Sequence, residues 1–213
     1  MNIIFDFDGT LFRTETVDIV AINKALSDMG KHTKTKEEIL SLIGMPMSRI
    51  SRQLLNSDDE KQNKQLRESV IRNELVLIPR FARMYPFALE YLSRLMQEGH
   101  NMAICSNGSK LYIQKLIEQF NLKQYFEIVW YRKENINKTE AARQVGQTLP
   151  PDELTVLVGD RREDVEAAHA NGFIAIGAAY GFGEREELLD ANYIAEDLKD
   201  IYRIISELEE QIK

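Results

Sequence analysis

Residues 2–11 read NIIFDFDGTL, and the class of fold can be inferred from this stretch. The apolar run at residues 2–7 is too short for a helix and leads into a glycine, which is typical of a buried parallel strand. Side chains two apart on an extended segment point the same way, so we expect Asp6 and Asp8 to converge at the carboxyl end of the strand. Open α/β sheets bind their ligands at that end. Because adjacent carboxylates repel each other and offer hard oxygen ligands, the pair predicts a magnesium site.

Further segments alternate between strand length and helical spacing. The other predicted strands are residues 101–105, 127–131, 154–158 and 173–176. The predicted helices among them are residues 86–98, 109–120, 139–146 and 163–171. This alternation predicts an α/β fold with a doubly wound parallel sheet.

One segment interrupts the alternation. After the first strand, helical patterns occur at residues 17–29, 37–43, 48–55 and 58–77, without a convincing strand among them. We therefore predict a small helical domain, residues 15–79, inserted into a core made of residues 1–14 and 80–213.

Polar residues also follow two other predicted strands. Asp160 follows residues 154–158 after a single glycine, and Asp164 lies in the first turn of the next helix, so carboxylates from two strand ends can meet. Taken alone, these two aspartates are better explained as helix caps. Ser106 follows residues 101–105, where a hydroxyl beside the free backbone N–H groups of a helix start suits a phosphate oxygen. A simple helix cap explains that serine equally well.

Two lysines, Lys133 and Lys138, lie between the third and fourth predicted core strands. An ammonium group at this place would neutralise a phosphoryl group and a carboxylate beside it. A lone lysine is normally solvated, so this interpretation depends on the other polar residues.

Taken together, these residues resemble the haloacid dehalogenase superfamily, and the resemblance covers essentially the whole chain. The four matching motifs, in order, are Asp6-x-Asp8-Gly9-Thr10-Leu11, Ser106-Asn107-Gly108, a lysine, and Gly159-Asp160-x-x-x-Asp164. In that family the lysine lies a little over thirty residues after the hydroxyl of the second motif. Lys138, at 138 minus 106 or 32, fits this spacing better than Lys133, at 27. The helical insert is similar to the family's C1 cap, and Tyr180-Gly181-Phe182-Gly183 is similar to phosphoglycolate-phosphatase-like members.

The resemblance implies a magnesium-dependent phosphatase in which Asp6 attacks phosphorus and forms an aspartyl phosphate. It implies that Asp8 protonates the leaving alcohol and then deprotonates water. The expected metal ligands are Asp6, the backbone carbonyl of Asp8, and Asp160, with Asp164 orienting Lys138 or a metal-bound water. The residues expected to bind the phosphoryl group or substrate are Ser106, Lys138, Thr10, Asn107 and Gly108.

Two other functions stay open. One is a phosphomutase of the β-phosphoglucomutase kind, and the other is a non-enzymatic regulatory module on the same fold. Asp8 argues against hydrolysis of carbon–halogen bonds, because the members with that activity lack this aspartate. The motifs cannot choose among phosphoglycolate, sugar phosphates, nucleotides and pyrophosphate as substrates.

The insert offers one hypothesis about the substrate. Residues 44–49, Gly-Met-Pro-Met-Ser-Arg, form a turn that leads into a helix, and similar caps turn this loop towards the active site. Arg49 and Arg13 are candidates for binding a second anionic group of the substrate. The alternative is that both arginines pair with surface carboxylates. The Met45 and Met47 side chains are candidates for an adaptable apolar wall.

Composition limits the remaining possibilities. The 213 residues include 27 Lys and Arg against 34 Asp and Glu, a net charge of −7, so nucleic acids and anionic membranes are disfavoured as partners. Cys105 is the one cysteine of the chain, which excludes an internal disulfide. No basic, apolar leader and no run of 18 apolar residues is present, so we expect a cytoplasmic protein. The expected partner is a small phosphorylated metabolite, and the expected assembly is a monomer or weak homodimer.

Overall fold

The strands of the core pair into a single parallel sheet. The structure, a computed structural model, describes residues 1–212 and the side chains of residues 1–211. The strands are β1 (Asn2–Phe5), β2 (Asn101–Cys105), β3 (Ile128–Trp130), β4 (Thr155–Gly159), β5 (Ile174–Ala178) and β6 (Tyr193–Ala195). Their order across the sheet is β3-β2-β1-β4-β5-β6, and every neighbouring pair runs parallel. The predicted α/β class with a doubly wound parallel sheet is confirmed.

β1 lies between β2 and β4, so the chain winds away from it in both directions. Asn2 is paired with Asn101 on one side and with Thr155 on the other. The carboxyl ends of β1, β2 and β4 therefore meet at one edge of the sheet, where the strand order reverses. Such a switch point opens a crevice that side chains from several strand ends can reach.

Helices cover both faces of the sheet, because successive side chains of a strand point to opposite sides. The core helices that follow the cap are α5 (Ala88–Gln97), α6 (Lys110–Gln119), α7 (Lys138–Gly146), α8 (Arg162–Ala170) and α9 (Leu198–Ile212). Ile3 and Phe5 of β1 pack in the cluster that includes residues of α5, α6 and α9. Ile4 points the other way and packs in the cluster that includes residues of α7 and α8.

The cap consists of α1 (Glu15–Asp28), α2 (Lys36–Leu40), α3 (Met47–Leu55) and α4 (Glu60–Phe81). It has an apolar cluster of its own, in which Ile22 and Leu26 of α1 pack with Leu66 and Val70 of α4. α4 continues through Pro79 to Phe81, beyond the predicted end at residue 77. The limits of the cap at residues 15 and 79 stay a prediction.

Two elements near the end of the chain were not predicted, the edge strand β6 and helix α9. β6 has only three residues, so no alternation of polar and apolar side chains can reveal it. α9 buries Leu198, Ile201 and Ile205, and their spacing is that of an amphipathic helix. Among the described residues, no helix combines the length and the apolarity that crossing a membrane requires.

Candidate active site

Three carboxylates meet at the switch point. Asp6 follows β1, Asp160 follows β4, and Asp164 lies in the first turn of α8. All three are buried, and one oxygen of each lies within 4.8 Å of the others. The backbone N–H of Asp6 donates to the carbonyl of Val158 at 2.8 Å, which ties the end of β1 to β4. The two strand ends therefore hold these acidic groups together, as the sequence predicts.

Lys138 is the cation inside this cluster. It is the first residue of α7 and is buried, and its Nζ contacts Asp6 Oδ1, Asp164 Oδ1 at 2.8 Å and the carbonyl of Cys105 at 2.8 Å. Burial alone would lower the pKa of Lys138, but the carboxylates of Asp164 and Asp6 raise it well above its ordinary value. Lys138 is therefore charged at neutral pH. Lys133, the alternative, instead lies over the Trp130 ring, with Nζ 3.7 Å from the ring centroid.

The acidic cluster fits a divalent cation. Oδ1 of Asp160 is buried and has no hydrogen-bond partner among the residues that the structure describes, whereas Oδ2 accepts from the backbone N–H of Phe182 at 2.7 Å. Burial, followed by the Asp164 carboxylate, raises the pKa of Asp160 to about 7. Gly9 makes room for the group, because a Cβ at this position, where φ is +81°, would lie 2.2 Å from Asp160 Oδ2. An unsatisfied carboxylate oxygen beside two further carboxylates is the donor set of a hard cation.

Asp8 points to a different set of partners. Its Oδ1 accepts hydrogen bonds from Tyr112 Oη at 2.7 Å and from Thr14 Oγ1 at 2.8 Å. Its Oδ2 lies 3.5 Å from Ser106 Oγ. Burial raises the pKa of Asp8, although the hydrogen bonds from Tyr112 and Thr14 lower it. This carboxyl group is therefore held away from the acidic cluster, in an orientation set by two hydroxyl groups.

The loop after β2 connects the core to the cap. Ser106 is buried, and its Oγ accepts from the backbone N–H of Gly108 at 2.9 Å. Nδ2 of Asn107 donates to the carbonyl of Gly44 in the cap at 3.3 Å. Arg161, at the start of α8, donates from Nη1 to the carbonyl of Ile43 at 3.0 Å. The segment at Ile43 and Gly44 is thus held against two loops of the core.

A cavity of about 480 Å³ lies between the core and the cap. Among the predicted site residues, those that line it are Asp6, Asp8, Asn107, Gly108, Lys138 and Asp164. Asp160 and Ser106 are buried behind this lining. Thr10, predicted to bind substrate, is fully buried and is not part of the lining, and its backbone carbonyl accepts from Tyr180 Oη at 2.8 Å.

The prediction that Arg13 and Arg49 reach the substrate does not agree with this arrangement. Arg13 is exposed and pairs with Glu15 at 2.9 Å, and Arg49 is exposed outside the lining. The arginines that line the cavity are instead Arg67, Arg132 and Arg161. The sequence pattern places residue 49 at the start of a helix. It does not determine which side chains of that helix face the core.

The sequence analysis also missed a pair of acidic side chains, Asp18 of α1 and Glu74 of α4, which line the same cavity. Glu74 is 6% exposed, and Oδ1 of Asp18 is buried. In the sequence both residues belong to helical patterns with many charges, where a single Asp or Glu normally faces solvent. The one signal that could have found Glu74 is its position between the apolar residues Val70 and Ile78 of the same helix face.

Comparison with known proteins gives a family match and several relatives. A family model described as haloacid dehalogenase-like hydrolase matches residues 3–178. A phosphoglycolate phosphatase of Mannheimia succiniciproducens is 26% identical over 94% of this chain and 96% of that protein. A 5'-nucleotidase of Pseudomonas aeruginosa is 22% identical over 88% of this chain and 86% of that protein. The crystal structure of a predicted phosphoglycolate phosphatase from Haemophilus somnus 129PT has a TM-score of 0.86 at 22% identity, covering 95% and 96% of the two chains, which shows a shared fold.

Proposed function

The chain belongs to the haloacid dehalogenase-like hydrolases and is a phosphoric monoester hydrolase; from this premise, we propose that it hydrolyses a small phosphate monoester through an aspartyl phosphate on Asp6 in a magnesium-dependent reaction. The observation that carries the proposal is the contact between Asp6 and the buried Lys138 at the edge of a cavity large enough for a small metabolite. A carboxylate held by a cation, next to two further carboxylates, is suited to attack a phosphoryl group.

Asp6 is the proposed nucleophile. Its carboxylate attacks phosphorus, the ester oxygen leaves with the electrons of its bond to phosphorus, and the phosphoryl group becomes attached to Asp6. Lys138 contacts Asp6 Oδ1 and carries a positive charge, so it offsets the charge that gathers around the phosphoryl oxygens. Water then attacks the aspartyl phosphate, which releases inorganic phosphate and restores the carboxylate.

Asp8 is the proposed acid and base. It lines the cavity, and burial raises its pKa, which favours a carboxyl group that gives a proton to the leaving alcohol. The resulting carboxylate then takes a proton from the attacking water. Tyr112 and Thr14 fix the orientation of this group through hydrogen bonds to Oδ1.

Asp6, Asp160 and the backbone carbonyl of Asp8 are the proposed magnesium ligands, and the ion would neutralise charge on the phosphoryl oxygens when bound. Asp164 contacts Lys138 at 2.8 Å and accepts from the backbone N–H of Arg161 at 3.1 Å, so its proposed role is to position the lysine. The proposed contacts of the substrate are the Asn107 and Gly108 loop and the hydroxyl of Ser106.

The test is a panel of phosphate monoesters, assayed with and without magnesium by release of inorganic phosphate. We expect release that depends on magnesium and is abolished by EDTA. A β-phosphoglucomutase-like activity would instead give an isomeric sugar phosphate without free phosphate. The absence of turnover on any substrate would favour a regulatory module. The cytoplasmic location and the monomeric or weakly dimeric state stay predictions.

A further inference from the structure

Two cap carboxyl groups face the cavity without a partner in the protein. Glu74 is 6% exposed and forms no hydrogen bond or ion pair with any residue that the structure describes. Oδ1 of Asp18 is buried and likewise has no hydrogen-bond partner among the described residues. Both side chains line the cavity that contains Asp6 and Asp8.

These two groups line the same cavity as Asp8. The charge of Asp8 acts on both of them, and the charges of Asp18 and Glu74 act on Tyr112, whose hydroxyl donates to Asp8. Asp8 is the group proposed above to protonate the ester oxygen. Because Asp8 is the proposed acid, the alcohol part of a bound monoester would lie in the cavity that Asp18 and Glu74 also line.

A buried carboxyl group without a partner is costly to the fold. Burial raises the pKa of Glu74 to about 8 with a further contribution from Asp8, and burial with the charge of Glu74 raises the pKa of Asp18 well above its ordinary value. Groups that retain protons near neutral pH both donate and accept hydrogen bonds. A hydroxyl group does the same, so the two chemistries are complementary.

We propose that Asp18 and Glu74 bind hydrogen-bond-donating groups on the alcohol part of the substrate, adjacent to the ester oxygen. The chemistry that fits is a hydroxyl or an ammonium group, with a polyhydroxylated alcohol the better match to carboxyl groups that hold protons. This proposal rests on the phosphatase function proposed above. A carboxylate at the same place on the substrate matches these groups less well, because it only accepts hydrogen bonds, whereas a hydroxyl both donates and accepts them.

The arginines of the cavity do not change the expected preference for a hydroxyl or ammonium group over a carboxylate. Arg132 has an Nη1 that is buried without a partner, and its pKa is lowered by burial and by Arg67. No arginine is among the groups that shift the pKa of Asp18 or Glu74. Among the described residues, the carboxylates that pair with the cavity arginines are Glu60, with Arg67, and Glu187, with Arg161, rather than Asp18 or Glu74.

Four small monoesters test the proposal: glycerol 1-phosphate, phosphoethanolamine, propyl phosphate and phosphoglycolate. They present hydroxyl, ammonium, apolar and carboxylate groups near the ester oxygen. We expect kcat/KM for glycerol 1-phosphate to exceed that for propyl phosphate by about tenfold or more, because hydrogen bonds to charged or buried carboxyl groups are strong. Phosphoglycolate should be the poorest of the four. A preference for phosphoethanolamine over glycerol 1-phosphate would identify the donor as an ammonium group.

Two variants assign the effect to these residues. In Glu74→Met the preference for glycerol 1-phosphate over propyl phosphate should fall by about tenfold, since the acceptor is lost. In Asp18→Asn, which keeps the shape of the side chain, kcat/KM for phosphoglycolate should rise, because the amide NH₂ group offers donors that a substrate carboxylate can accept. Asp28→Asn is the matched control on α1. It carries the same change at an exposed position, where it breaks only a surface pair with Lys24, and both ratios should stay at the parental values.

The outcomes separate this inference from the proposed function. Suppose that the parent hydrolyses p-nitrophenyl phosphate, but that its kcat/KM for propyl phosphate or phosphoglycolate equals that for glycerol 1-phosphate and phosphoethanolamine. The inference on Asp18 and Glu74 is then wrong and the phosphatase function stands. If kcat/KM falls by the same factor for all four substrates in Glu74→Met and in Asp18→Asn, the inference on these two residues is likewise wrong. If none of the monoesters is hydrolysed, the proposed function itself is wrong.

Discussion

The Asp6 carboxylate is the one group that the proposed reaction cannot replace. Asp6→Asn keeps the shape of the side chain but supplies a poor nucleophile, so we expect release of phosphate from every substrate to fall below detection while the far-ultraviolet circular dichroism stays unchanged. Asp152→Asn, the same substitution at an exposed position, is the control and should retain parental activity. Turnover of Asp6→Asn within tenfold of the parent would contradict the assignment.

Asp8 is proposed to protonate the leaving group, so the effect of its loss should depend on that group. In Asp8→Asn, single-turnover hydrolysis of an alkyl phosphate should slow by about 10² to 10⁴, the usual contribution of a general acid or base. An aryl phosphate, whose leaving oxygen needs little protonation, should lose much less in the same experiment. Equal loss for the alkyl and aryl substrates would show that Asp8 is not the acid.

Whether the sequence predicts that a residue belongs to the candidate site depends on what positions its side chain. Asp6 and Asp160 were found because they directly follow strands, and the parallel sheet then brings their side chains to one edge. Asp18 and Glu74 were missed because their environment depends on how the cap packs on the core. No local pattern encodes that packing, and for the same reason the sequence did not indicate that Arg49 lies outside the cavity lining.

Among the connections between elements, the segment at Gly44 is sensitive to one added carbon. Its φ is +93°, and a Cβ would lie 3.1 Å from Cγ of Arg161, the residue that holds the neighbouring carbonyl of Ile43. We expect Gly44→Ala to lower the free energy of unfolding by about 1 kcal/mol or more, the cost of a left-handed conformation. The loosened contact between cap and core should also raise KM, since Gly44 lines the cavity.

Gly30→Ala is the matched control for that substitution. Gly30 also lies in the cap with a positive φ, +66°, but nothing lies within 4 Å of the added Cβ. It should lose stability through backbone strain alone and keep the parental KM. If chemical denaturation and steady-state kinetics give the same result for both variants, the contact of Gly44 with Arg161 does not control the cap.

Most helices and strands of the core were predicted from their periods, but α9 was missed although its apolar spacing is that of an amphipathic helix. Helices α5 to α8 begin and end within about two residues of the predicted limits, as α8 at Arg162–Ala170 does. α4 runs four residues further than predicted, through Pro79 to Phe81, although proline lacks the N–H that a helix interior uses. Packing of Ile78 in the core cluster favours continuation of the helix over its local end signal.

Across the chain as a whole, the buried acidic cluster couples cation binding to the stability of the fold. Asp6 lies far from Asp160 and Asp164 in the sequence, so the unfolded chain does not hold the three carboxylates together. A cation that binds only the folded state stabilises it by about 2.7 kcal/mol at a concentration one hundred times its dissociation constant. For a chain of this length we expect saturating magnesium to raise the melting temperature by about 5 to 11 °C.

Asp160→Asn separates this effect from general salt effects. The variant keeps an oxygen that can accept from the backbone N–H of Phe182, but it removes a buried charge whose Oδ1 has no partner. Without magnesium it should melt at a higher temperature than the parent, because repulsion within the cluster is reduced. Addition of magnesium should then leave its melting temperature nearly unchanged, whereas the parent gains several degrees. An equal gain in parent and variant, measured by differential scanning calorimetry at constant ionic strength, would place the cation away from Asp160.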